Sequence, residues 1–316
     1  MLEYTVKRIA AVIPALIGVV TVVFFMLRLI PGDPAAFIGG DNLSEEALAG
    51  LRERLGLAEP LAQQYVNYVV GVLQLDFGTS IHTQMAVRTV IADALPVTAF
   101  VAVCAMVVGT AISIPLGAMA AYSKYKGRNG VDSGLTGSVM VLDTIPNFWL
   151  GLVLTLVFSL YMGWFPISGA MNWGDPGYMA SRLILPIVVL SVAQVAAVAR
   201  VTRTAVLQTL EEDYVRTARS LGESERTLLF RHALPNAALP ILTIAGLSMG
   251  NIFAGTVIVE AIFSLPGLGT QLLSGIQSRD YPIVQGMILT YAVVFVMLNV
   301  ITDIIYTRVD PRVRLS

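Results

Sequence analysis

The hydrophobic positions of this chain fall into six long runs: Ile9–Ile30, Pro96–Tyr122, Leu135–Tyr161, Leu183–Thr204, Ala238–Ile262 and Ile283–Tyr306. Each supplies the roughly 20 mostly apolar residues that a bilayer-crossing helix needs. The pattern predicts an all-α polytopic membrane protein with six transmembrane helices. The first run follows Lys7 and Arg8, as the apolar part of a secretory signal does. It exceeds the roughly 7–15 residues of such a signal, and it ends at Arg28 and Pro31-Gly32-Asp33-Pro34 without a small-x-small cleavage pattern. It reads as a retained first helix.

Two polar stretches are too substantial to be simple connections. In residues 31–95, Ser44 can cap a helix whose first turn carries Glu45 and Glu46. Leu48, Leu51 and Leu55 share one face, and Gly56 can end it. Pro60 starts a second helix with Leu61, Tyr65, Tyr68 and Val72 along one side. The pair reads either as helices lying on the membrane face or as a docking platform for an outside partner. The second stretch, residues 205–237, is charged and helix-prone, with breaks at Gly222 and Pro235. Helix, glycine turn, helix is its expected form. With Leu221 at the tip, such a corner can plug into a groove on another protein.

Composition agrees with this class. Hydrophobic residues make up 56% of the 316 and charged residues 13%, against about 25% charged in soluble domains. The net charge of −1 gives no field for nucleic acid. The single Cys104 allows no internal disulfide. His82 and His232 lie far apart and make a poor metal site, so no metal is expected. Of the 20 basic residues, Lys7, Arg8, Lys124, Lys126, Arg128, Arg200, Arg203, Arg216, Arg219, Arg226, Arg231, Arg308, Arg312 and Arg314 fall on one side. By the positive-inside rule that side is cytoplasmic, with both termini inside and 31–95 outside. Residues 1–316 read as one membrane domain.

Little catalytic chemistry is legible. None of the three lysines follows a glycine, so the chain lacks a Gly-Lys-Ser/Thr phosphate loop. Gly246-Leu247-Ser248-Met249-Gly250 fits the nucleophile elbow of a serine hydrolase. It lies within an apolar helix and also fits the G-x-x-x-G packing pattern. A membrane serine protease built on Ser248 is the remote reading. Asp143, Asn147, Ser248 and Asn251 are, by polarity and depth, candidates to line a solute path. Asp143 can instead pair with a basic residue such as Arg203. Pro146 is expected to kink the third run. Glu260 sits at the outer end of the fifth run, where solvent or a partner is expected to reach it.

Arg216-Thr217-Ala218, Gly222 three residues further on, nine residues, and then His232-Ala233-Leu234-Pro235 together resemble the EAA loop of ABC importer permeases. Arg216 stands in place of the usual Glu and His232 in place of the Ile, as in the dipeptide/oligopeptide branch with its Tyr214-Val215-Arg216-Thr217-Ala218-Arg219 version. Pro31–Pro34, Asp76-Phe77-Gly78-Thr79-Ser80, Glu260 through Gly269, Arg279-Asp280-Tyr281-Pro282 and Asp310-Pro311-Arg312-Val313-Arg314 look like the B-type permease of that branch. The resemblance covers essentially the full length.

The resemblance implies a type I importer permease that pairs with a second, similar permease. Two ATPase subunits would each take one EAA loop, through Tyr214, Arg216, Thr217, Ala218, Leu221, Gly222, His232, Leu234 and Pro235 here. ATP and Mg would reside in those subunits, with no cofactor on this chain. An external solute-binding protein would dock on the outer loops, through Asp76, Thr79, Ser80, Glu260, Ser264, Pro266, Gly267, Arg279 and Asp280. The cargo would be a peptide, with nickel and glutathione carriers as relatives sharing the motifs. A self-contained secondary transporter is the further alternative.

Overall fold

A computed structural model describes residues 2–29, 44–54 and 58–309. The motifs at 31–34 and 310–314, the Gly56 stop and the side chains of Lys7, Arg8, Leu51 and Arg308 lie outside what is described. The helices run α1 Leu2–Leu29, α2 Glu45–Arg54, α3 Leu61–Leu73, α4 Val87–Tyr125, α5 Asn129–Thr144, α6 Asn147–Leu154, α7 Pro176–Leu210, α8 Asp213–Ser220, α9 Leu234–Ile262, α10 Leu268–Gln277 and α11 Tyr281–Val309. Among the described residues, four helical stretches are long and apolar enough to cross a membrane: Val87–Tyr125, Pro176–Leu210, Glu225–Ile262 and Tyr281–Thr302. The bent pair α5 and α6 supplies a fifth. The sixth expected span, α1, is a helix of 28 residues with a described apolar stretch at Ile13–Met26.

Two expectations about breaks are corrected. The third run does not merely kink: its halves meet at 93°. A residue preceding proline is driven out of the α region, and Ile145 is extended with ψ 118° ahead of Pro146. α6 then continues as a π-turn, Thr155–Tyr161. Conversely, Pro235 breaks nothing. A short turn at Glu225–Thr227 passes through a π-helical segment, Leu228–Ala233, straight into α9. Pro235 directly follows the π turn, whose wider hydrogen-bond spacing accommodates a residue with no N–H to donate.

The chain forms two compact units. One comprises residues 1–97 and 266–296. Within it α3 lies against α1. The Phe24 ring is fully buried, with Tyr65 edge-on at 5.2 Å. The Arg28 guanidinium lies 3.4 Å over the Phe24 ring and donates to Gln64 Oε1. Ser44 caps α2 through the Ala47 N–H, as its sequence suggested.

The other unit comprises residues 98–265 and 297–316. α7 is its most buried helix, with Val189, Ala196 and Val198 fully enclosed. Gly109 and Gly117 of α4 press against it. A Cβ at Gly109 would stand 2.7 Å from the Gln194 side chain, and one at Gly117 would stand 2.6 Å from the Ala199 carbonyl. Small residues let backbones approach in this way where lipid offers no hydrophobic drive for association. α9 packs on α7, and Gly246 abuts Thr302 of α11 too closely for any Cβ. Close packing at Gly246 is the reading the G-x-x-x-G pattern favoured.

Candidate functional site

The stretch after α7 builds a corner. α8 places Asp213 in its first turn and Arg219 in its last, the order the helix dipole favours. Val215 and Ala218, three residues apart, form its buried face. They join Val206, Leu210, Leu228, Ala233, Ala237 and Ala121 in one apolar cluster. Val206, Leu210, Val215 and Leu228 are each fully buried. At roughly 1.5–3 kcal/mol per buried aliphatic side chain, this base holds the corner firmly.

The turn itself closes by two hydrogen bonds, from Gly222 N–H to the Arg219 carbonyl (3.0 Å) and from Glu223 N–H to the Ala218 carbonyl (3.3 Å). This is a Schellman cap, which requires a left-handed residue at its pivot. Gly222 supplies it with φ +87°, and no atom lies within 4 Å of where its Cβ would be. Leu221 beside it is 81% exposed. An apolar tip thus stands in open space on a rigid, buried base.

The other residues that the loop pattern singled out fall around that tip. Arg216 and Thr217 lie on the exposed face of α8. His232 Nε2 meets Glu223 Oε2 at 2.7 Å, spanning the corner. Leu234 packs against the base, and Pro235 is exposed. Burial, with the Glu212 carboxylate nearby, pushes the Tyr214 phenol up, so it stays protonated while hydrogen-bonded to Asn236.

The path candidates do not form one cluster. Asp143 pairs with Arg200 at 2.9 Å. Arg203, the partner expected from sequence, is held by Asp132 through two bonds of 2.6 and 2.7 Å. The two arginines sit three residues apart on one face of α7, and α5 sets Asp132 against one and Asp143 against the other. Asn147 approaches α9 at Gly255, one turn beyond the exposed Asn251. Ser248 is buried, and its hydroxyl donates to the Ile244 carbonyl of its own helix at 2.7 Å. The histidines bond elsewhere: His232 as above, and His82 to the Ser278 carbonyl. Neither histidine is bonded to Ser248.

The outer-loop candidates divide between surface and interior. Asp76, Thr79, Ser264, Pro266 and Arg279 are exposed, whereas Ser80, Gly267 and Asp280 are buried. Ser80 Oγ donates to Asp280 Oδ2 at 2.5 Å, and the Ile283 N–H donates to Asp280 Oδ1 at 3.3 Å. These two residues clasp one another instead of facing outward. Glu260 corrects an expectation: it is fully buried. The chain turns back after α9, Leu265 N–H bonds the Glu260 carbonyl at 2.9 Å, and buried Phe263 and Leu265 close over that end.

Two groupings were not foreseen. Arg219 donates to the Tyr125 hydroxyl and to Glu225 Oε2 (3.2 Å), while Lys126 Nζ meets Glu225 Oε1 at 2.5 Å. Arg182, 1% exposed, donates to the Ile167 and Ser264 carbonyls at 2.9 Å each. Sequence reading placed Lys126 and Arg219 among the basic residues of one membrane face and gave Arg182, Glu225 and Tyr125 no role. The available signal for Arg182 was its place on the buried face of α7, between Met179 and Leu183. Among the described residues no group of three His, Cys, Asp or Glu could hold a metal ion.

Residues 113–315 match the family model of the binding-protein-dependent transport system inner membrane component, and residues 1–102 match its N-terminal companion. A putative peptide transport system permease protein of Brucella abortus is 38% identical over 316 residues, covering 99% of both chains. The dipeptide transport system permease protein DppB of Escherichia coli K12 is 35% identical over 339 residues, again covering 99% of both. In a crystal structure of an amino acid ABC transporter with histidines, one chain matches 70% of this chain and 94% of its own length. Its TM-score is 0.52 at 18% identity, a likeness of fold. The chain belongs to the family of binding-protein-dependent transport system inner membrane components, as a multi-pass permease subunit of an ABC importer.

Proposed function

We propose that this chain forms, with a second homologous permease, the translocation path of an ATP-driven importer of di- or oligopeptides. The observation that carries the coupling is Leu221, an apolar side chain left in open space on a rigid glycine corner. The full-length relatives named for peptide transport support the cargo. Two ATPase subunits, or a heterodimer of them, bind ATP and Mg and take the corner into a groove. This chain is non-catalytic and binds no cofactor. Both termini are cytoplasmic, and the segments around Asp76–Ser80, Ser264–Gly267 and Arg279 face a solute-binding protein outside. Transport is then an equilibrium between two packings, biased by nucleotide on one side and loaded binding protein on the other.

The test is Gly222→Trp in the assembled transporter. The side chain projects into space empty in this chain, so its cost to the permease is the left-handed backbone strain of about 1–2 kcal/mol, and assembly of the complex is checked alongside uptake. Seating on the ATPase is blocked, and peptide uptake falls by about ten-fold or more, the effect of losing a few kcal/mol at the interface. Normal uptake by an intact complex would remove the coupling role. Uptake of nickel or glutathione with no peptide uptake would reassign the cargo.

A further inference from the structure

Four side chains around the corner form a network whose size is out of proportion to its contribution to stability. Arg219 lies in the last turn of α8, three residues before Gly222, and Glu225 begins the segment beyond it. Their contact at 3.2 Å braces the corner across its glycine. Tyr125 is the last residue of α4 and Lys126 follows it. The Arg219 guanidinium lies over the Tyr125 ring at 4.7 Å and donates to its hydroxyl. Lys126 takes the other Glu225 oxygen at 2.5 Å. Both limbs of the corner are thereby fastened to one helix end.

These groups are about a third exposed, with side-chain exposures of 35% for Lys126 and Glu225 and 28% for Arg219. Ion pairs in that setting add little to folding. The apolar base beneath already fixes the corner. What the network adds is a grip nearer the tip: where the base meets α4 through Ala121, the network fastens both limbs beside Gly222 to the end of that continuous helix of 39 residues. Arg219 uses its planar fork for this, with one arm to each anchor and the face stacked on the ring, a geometry lysine cannot reproduce.

We infer that Arg219, Glu225, Lys126 and Tyr125 are positioning residues forming a transmission brace, which makes the corner and the end of α4 move as one body when an ATPase displaces Leu221. The inference rests on the coupling role proposed above. It predicts that this network stays closed through the transport cycle, while other contacts change.

The experiment uses the complete transporter in liposomes, with Cys104→Ala as background. Lys126→Cys and Glu225→Cys are introduced together, and a short bis-thiol reagent joins them. Uncrosslinked, the double variant should keep nucleotide hydrolysis but transport about five-fold less peptide per ATP, the scale of one broken coupling contact. Crosslinked, it should recover that ratio. A merely structural role would not produce recovery of the ratio at constant hydrolysis. A wild-type ratio without the crosslink, or a block of transport with it, would overturn the brace. Leu221→Asp, run alongside, separates the two readings. If it transports normally, the coupling role itself fails. If it does not transport while the uncrosslinked cysteine pair couples normally, the brace alone fails.

Discussion

The corner at Gly222 and the turn around Asp280 use the same backbone device for opposite ends. In both, a helix stops on a Schellman cap. Asp280 N–H bonds the Gly275 carbonyl at 2.8 Å, as Glu223 N–H bonds that of Ala218 at 3.3 Å. At the corner the pivot is glycine, the next side chain, Glu223, is charged and exposed, and the apolar Leu221 stands in open space. At the other turn the pivot is Arg279, φ +53°, and the polar Asp280 is 2% exposed, gripping Ser80. One turn leaves an apolar group in open space; the other spends a buried carboxylate on joining two loops. Cap geometry therefore does not distinguish a contact surface from a fastening. The burial of the residue beside the pivot does.

The largest effect should come from removing what keeps the corner rigid. Leu228→Ala empties a fully buried position in its base. Such a change costs about 2–5 kcal/mol, depending on how far the neighbours relax. The thermal midpoint of the detergent-solubilised permease should fall by several degrees, with faster proteolysis at residues 211–225. A midpoint equal to that of the unaltered chain would show that the corner does not depend on its apolar base.

Next in size is the fastening. Asp280→Asn keeps the shape but replaces one acceptor with a donor, facing either the Ser80 hydroxyl or the Ile283 N–H. Losing a charged hydrogen bond in a buried site costs about 1–3 kcal/mol. With Ser80→Ala as the second arm of a double-mutant cycle, the two losses should be less than additive. Strict additivity would mean that the clasp does not join the loops.

How much of this was legible follows the range of each interaction. The apolar runs declare themselves because lipid demands about 20 residues in sequence, and Leu221-Gly222 stands out because glycine is the usual left-handed pivot of a helix cap. The fate of Asp143 does not, since Arg200 and Arg203 lie three residues apart on α7 and Asp132, on the same helix as Asp143, takes one of them. Glu260 was misread because the residues that close over it come after it and fold back. Pro235 was misread because the π-helical segment before it lets the helix absorb the missing donor. Ser80 and Asp280 lie 200 positions apart, and their pairing is invisible to any local pattern.

The smallest effect is the sharpest test of the comparison, because the two pivots should respond with opposite signs. Ser264 is a third such pivot, with φ +48°, after α9. A left-handed non-glycine residue carries about 1–2 kcal/mol of strain. Glycine relieves that strain but loosens the unfolded chain by about 0.4–1 kcal/mol. Ser264→Gly should thus be neutral to stabilising by a few tenths of a kcal/mol, with its carbonyl still available to Arg182. Gly222→Ala gains the unfolded-state term but takes on the strain, so it should destabilise by about 0.5–1 kcal/mol. No steric term confuses it, since nothing lies within 4 Å of the new Cβ. Paired thermal midpoints decide between these signs. If both substitutions destabilise alike, the serine pivot is held by contacts beyond its backbone, and the outer turn is a built contact in its own right and not only a helix stop.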